Sequence, residues 1–136
     1  MNLTQLTDFA QSYAEAWCSQ NPERVASFYA EDGSLVVNDG SPAVGRPAIA
    51  EVARGFMTAF PDMTVTMDQL DSTPEGTVFH WTLAGTNNGA GGTGNRVRVT
   101  GYEMWQLDRD GLIKESEGHF DSTDYERQIM HGARDQ

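Results

Sequence analysis

The chain has 136 residues, with 9 Lys and Arg against 20 Asp and Glu for a formal net charge of −11, and 38% of it is hydrophobic. That length fits one domain around one core, expected over residues 1–136, and the hydrophobic share excludes a disordered chain. The charge makes nucleic acid and anionic membrane surfaces poor partners, and neither is expected. Cys18 is the single cysteine, so no internal disulfide is expected, which suits a reducing cytoplasm. The start "MNLTQLTDFA" has no basic residues followed by an apolar run, so no signal peptide is expected. No stretch approaches the ~18 apolar residues of a membrane span.

Leu3, Leu6, Phe9, Ala10, Tyr13, Ala14 and Trp17 recur at helical spacing, and Asn2 with Gln5 has the form of a capping box. "SQNPERVASFYAEDG" predicts a second, short helix, capped by Asn21, opened by Pro22 and ended by Asp32-Gly33. "SLVVN" predicts a strand and "DGSPAVG" a loop. A third helix follows over "RPAIAEVARGFMTAF", with Ile49, Val52, Ala53, Phe56, Met57 and Phe60 on one side. From Met63 the period becomes two. Met63, Val65 and Met67 alternate with polar residues, as do Phe79, Trp81 and Leu83, and then Val97, Val99, Glu103, Trp105 and Leu107. "TNNGAGGTGN" and "DRDG" read as turns, "LIKESEGHFD" as the last strand, and "STDYERQIMHG" as a closing helix. The expected fold is α+β. It is a cone-shaped barrel of a curved, mostly antiparallel sheet with helices on its concave face and a mouth that can hold a ligand.

The last strand carries the chemistry-bearing residues. If Ile113 points inward, strict alternation sends Glu115, Glu117, His119 and Asp121 the same way, though Glu115 and Glu117 could equally be solvated. Asp121 has two roles open to it, a pocket acid or the cap of the following helix, where Ser122 could also serve. His119 beside a carboxylate can shuttle protons, or sit on the surface. His80 is expected to face away from the core. Glu103, on an apolar face, must be paired or neutral if buried, which makes it a second candidate. Tyr13 and Trp17 are aromatic candidates of the first helix, in a position that also suits plain core packing. No third ligand completes a metal site around His119 and Asp121. "GAGGTG" lacks the Lys and helix of a phosphate loop. Cys18 is expected on the inner side of its helix, and inert.

The order of elements, with "GRPAI" at 45–49, "FPD" at 60–62, "WTLAGTNNG" at 81–89 and "DGLIKESEGHFDS" at 110–122, resembles the SnoaL-like branch of the nuclear transport factor 2-like superfamily. The resemblance implies a cone-shaped fold, often dimeric through its open sheet. It also implies ring closure by intramolecular aldol chemistry without a cofactor, with Asp121 matching the acid/base aspartate. The chain differs from the common pattern in having Asn87 where relatives often have His, and Glu117 where they often have a bulky residue.

Three functions are expected in descending order. The first is a cofactor-independent cyclase or isomerase acting on a small hydrophobic carbonyl compound. There Asp121 is the base, His119, Asn87 or Tyr102 is a donor to the enolate oxygen, and Phe79, Trp81 and Trp105 form the apolar wall. The second is a binding or dimerisation module without chemistry. The third is an epoxide hydrolase-like enzyme using Glu117, Asp121 and Arg98, although Arg98 falls opposite Val97 and Val99. The outer sheet face, with Thr64, Thr66, Tyr102 and Met104, is expected to pair in a homodimer.

Overall fold

The computed structural model describes residues 2–133. Met1 and the last three residues of the expected domain lie outside that range. The described residues form α1 (Leu3–Cys18), α2 (Pro22–Ala26), β1 (Tyr29–Val37), β2 (Ala43–Val44), α3 (Arg46–Ala59), β3 (Thr64–Thr73), β4 (Gly76–Thr86), β5 (Arg96–Leu107), β6 (Ile113–Phe120) and α4 (Ser122–His131). One six-stranded sheet runs in the order β2-β1-β6-β5-β4-β3. It is curved and unclosed, and antiparallel except for the parallel pair β1–β6. Ala10, Tyr13, Ile49 and Ala53 of the helices share one core with Phe79, Leu83, Val97 and Trp105 of the strands. The helices therefore cover the concave face and leave the other face bare. No helix among the described residues is long and apolar enough to cross a membrane.

Local chemistry explains most boundaries. The Asn2 side chain accepts from the Gln5 N–H at 2.8 Å and the Gln5 side chain from the Asn2 N–H at 3.0 Å, so two free donors of α1 are satisfied at once. Before α3, Gly45 turns the chain at φ +88°, a conformation that favours glycine, and Pro47 fits the first turn. The second helix is shorter than its sequence suggests. It ends at Ala26, and Asn21 makes no side-chain cap. Asp32-Gly33 is not its stop signal but lies inside β1, where the register to β6 shifts between Tyr29 and Ser34. A Cβ on Gly33 would stand 2.8 Å from the Ile113 carbonyl oxygen, so this glycine serves close strand packing.

A second irregularity decides which residues face the core. On β5 and β6, Leu107 pairs with Ile113 but Gln106 pairs with Glu115. One extra residue therefore sits in β6 between Ile113 and Glu115, a β-bulge. Beyond it the faces exchange. Ile113, Ser116 and Gly118 are buried, while Glu115 and Glu117 are exposed. The expectation that Glu115, Glu117 and His119 point inward with Ile113 is overturned for this reason.

Candidate functional site

The concave face encloses an apolar cavity with one acid in it. Trp17 of α1, Phe56 of α3, Phe79 and Trp81 of β4, Glu103 of β5 and Phe120 at the end of β6 are among its lining residues, and Tyr125 of α4 stands at the same opening. The cavity has a volume of about 60 Å³, which suits a compact ligand. Its floor is a packed aromatic layer. Phe79 stacks on Trp105 with ring centroids 5.0 Å apart, and Tyr13 meets both edge-on at 5.4 and 5.2 Å.

Glu103 is set into this floor by strand register, directly opposite Phe79 on the neighbouring strand. Its Oε1 accepts from the Tyr13 hydroxyl at 2.9 Å, the Trp105 indole N–H at 2.9 Å and the Ser116 hydroxyl at 2.7 Å. Oε2 accepts none of these bonds. The proton of Tyr13 is committed to Glu103, so the Tyr29 hydroxyl donates to Tyr13 at 2.8 Å. Burial pushes the Glu103 carboxyl above its ordinary range, and the hydrogen bonds from Trp105, Ser116 and Tyr13 oppose that push without cancelling it. Burial, followed by the neighbouring Glu103, raises both Tyr13 and Tyr29 well above a free phenol, so both stay neutral donors.

The structure separates the other expected site residues from this cavity. Asp121 is the cap of α4: its Oδ1 accepts from the Asp124 N–H at 3.0 Å, it is exposed, and Ser122 is the first helical residue. The pocket role expected for Asp121 is corrected accordingly. His119 lies on the outer face beside Tyr102, ring centroids 5.1 Å apart, because the bulge reversed β6. Tyr102, 40% exposed, is on that outer face too and cannot reach a ligand in the cavity. Asn87 is buried, but its amide ties the glycine-rich loop to the end of α3, accepting from the Thr93 N–H at 2.9 Å and donating to the Ala59 carbonyl at 3.3 Å. Trp105 and Tyr13 support the floor through Glu103 rather than lining the cavity; Trp17, Phe79, Trp81 and Glu103 do line it. Glu117 and Arg98 are exposed, so the acids and the Arg of a hydrolytic site are not brought together. Cys18 is exposed rather than inward, its Sγ accepting from the Val65 N–H at 3.1 Å. His80 is on the outer face as expected, 3.0 Å from Asp71. Among the described residues no group of three His, Cys, Asp or Glu side chains could hold a metal ion.

Sequence reasoning missed Ser116, Phe120 and Tyr125. The signal was present for the first two: read on their own, Ser116, Gly118 and Phe120 form the less polar face of β6, against Glu115, Glu117 and His119. Tyr125 and Ile129, four apart on α4, carry the helical period of a buried side.

A family model described as the SnoaL-like domain matches residues 10–116. No curated protein matches the chain. A protein with a ketosteroid isomerase-like fold from Catenulispora acidiphila, solved in complex with trimethylamine, superposes with a TM-score of 0.79 at 17% identity, covering 90% of this chain and 92% of that one. A protein of Jannaschia sp. CCS1 described as a SnoaL-like polyketide cyclase gives 0.80 at 16% identity, covering 96% and 94%. AclR of Streptomyces galilaeus, described as a hydroxylase, gives 0.78 at 16% identity, covering 95% and 98%. At these identities the likeness shows a shared fold alone, and the descriptions of the second and third name different reactions.

Proposed function

The chain belongs to the SnoaL-like domain family, and on that premise we propose that it moves protons on a small hydrophobic carbonyl compound, as a cyclase or isomerase without a cofactor, with Glu103 as its acid and base. One observation carries this reading: a carboxyl raised by burial stands at the bottom of an apolar cavity. Oε1 is held by three donors, so the proton comes and goes at Oε2. A carboxyl raised toward neutrality is a better base at a carbon acid than an ordinary one, and an effective acid in the return step.

The experiment is deuterium uptake at the α-carbons of a panel of cyclic and aryl ketones in D₂O, followed by proton NMR. The wild-type protein should accelerate exchange, Glu103→Gln should lower that rate by about 10²–10⁴-fold, and Asp121→Asn should retain it. Exchange at the buffer rate across the panel refutes the proposal.

A second reading, binding without turnover, is favoured by the fact that Glu103 is the single carboxyl among the cavity-lining residues. It predicts ketone binding without exchange. The trimethylamine held by the Catenulispora protein adds a small ammonium ion as a rival ligand. A sheet-to-sheet homodimer through the face bearing Tyr102 and Met104 belongs to the same proposal, and light scattering at micromolar concentration tests it.

A further inference from the structure

Two polar groups in the cavity wall take no part in the chemistry above. The indole N–H groups of Trp17 and Trp81 are buried, and neither donates to a protein group among the described residues. Both rings line the cavity and are more than nine-tenths buried, at 8% and 9% exposure. Trp17 has the Tyr13 ring edge-on at 6.3 Å. Trp105, the third tryptophan, has its N–H committed to Glu103. The Trp17 N–H lies toward the Tyr13 hydroxyl without closing a full hydrogen bond, so the wall offers one wholly unspent donor, that of Trp81, one loosely engaged donor and one carboxyl.

The position of Trp81 is fixed by its neighbours rather than by its N–H. Register places it opposite Gly101. A Cβ on Gly101 would come within 2.6 and 2.8 Å of Trp81 Cζ2 and Cη2, so the six-membered edge of the indole rests on bare backbone. Phe120 meets the same ring edge-on at 5.9 Å. A ring located by packing keeps its N–H available, and a buried N–H stripped of water gains most from an acceptor that arrives with a ligand.

We infer that Trp81, seated on Gly101, sets the specificity of the cavity: its indole N–H, with that of Trp17, receives an acceptor oxygen of the ligand and so selects compact neutral compounds that carry one. The inference rests on the reading of this cavity as a ligand site, and is independent of whether Glu103 transfers a proton. A hydrocarbon of the same shape leaves the donors unpaired. A cation meets the positive ends of two N–H dipoles, despite the aromatic walls. A site built around hydrogen bonds rejects analogues that lack them more strongly than an apolar slot can.

The test uses three probes of similar size: acetophenone, α-methylstyrene, in which a methylene replaces the carbonyl oxygen, and benzyltrimethylammonium. Affinities are read by tryptophan fluorescence, and the three indole N–H signals by ¹H–¹⁵N NMR. Acetophenone should bind about tenfold more tightly than α-methylstyrene. It should shift the Trp81 indole proton downfield while moving that of Trp105 much less. In Trp81→Phe the ratio of the two neutral-probe affinities should shrink toward parity, since the lost wall contact is common to both and the lost N–H is not. Equal affinities for the two neutral probes, a ketone preference unchanged in Trp81→Phe, an unmoved Trp81 signal, or tighter binding of the ammonium each overturn the assignment. These outcomes leave the Glu103 exchange experiment standing. Failure of all three probes to bind overturns the cavity as a ligand site, and the assignment with it.

Discussion

Glu103 and Asp121 carry the same functional group in opposite surroundings. Asp121 meets water on one side and a backbone N–H at the start of α4 on the other. That bond satisfies one of the free donors at the start of the helix. Glu103 has lost its water. Three side-chain donors replace it on one oxygen only, and its charged form remains costly. A group that must give and take a proton near neutrality needs that cost. The difference shows why position along a strand says less about chemistry than what surrounds the side chain.

Four measurements test that contrast. The largest effect should come from Glu103→Ala, which leaves the Tyr13, Trp105 and Ser116 donors without their acceptor and opens a void. A loss of about 3 kcal/mol or more is expected by urea denaturation. A loss below about 1 kcal/mol would mean that the buried network is slack. Next comes the pH dependence of stability. The folded-state value of Glu103 is raised, so its contribution is fully present below the unfolded carboxylate value of about 4.3 and is lost as pH rises through the higher folded value. Glu103→Gln should flatten the stability profile over that window and be at least as stable as wild type above it. An unchanged profile would show that Glu103 is ordinary.

Asp121→Ala should cost about 1 kcal/mol, the value of a helix cap, and leave the affinity of acetophenone unaltered. If probe affinity falls with Asp121→Ala, the division between the two acids fails. The smallest effect belongs to His119→Ala, on the outer face. Its stability should stay within about 0.5 kcal/mol of wild type, with no change in α-hydrogen exchange. Loss of exchange there would return His119 to the chemistry.

What could be read from the sequence was whatever depends on near neighbours. The Asn2–Gln5 capping box is a contact across three residues. The alternation of Phe79, Trp81 and Leu83 holds because β4 stays in phase with β5 along its whole length. What could not be read depends on one backbone adjustment in each of two strands. Phase carried forward from Ile113 was correct only up to the bulge, and every residue beyond it was assigned to the wrong face. Gly33 resembled a helix stop because a glycine needed for close approach and a glycine needed for a turn are the same letter. Glu103 was legible as a buried acid on an apolar strand face. Its donors were not, since Tyr13 and Ser116 come from 90 and 13 residues away in the chain.

The bulge in β6 also bears on descent. Removing Lys114 would restore strict alternation without moving any residue beyond it: Glu115 would come directly after Ile113, on the outer side, and Ser116, Gly118 and Phe120 would keep the inner one. The bond from Ser116 to Glu103 and the aromatic contact of Phe120 with Trp81 would survive the loss. In this fold the lining of the strand is tied to its pairing with β5, so a lineage can gain or lose a single codon at the bulge and inherit the same cavity wall. An ungapped comparison of two such relatives would place every later residue of the strand on the wrong face.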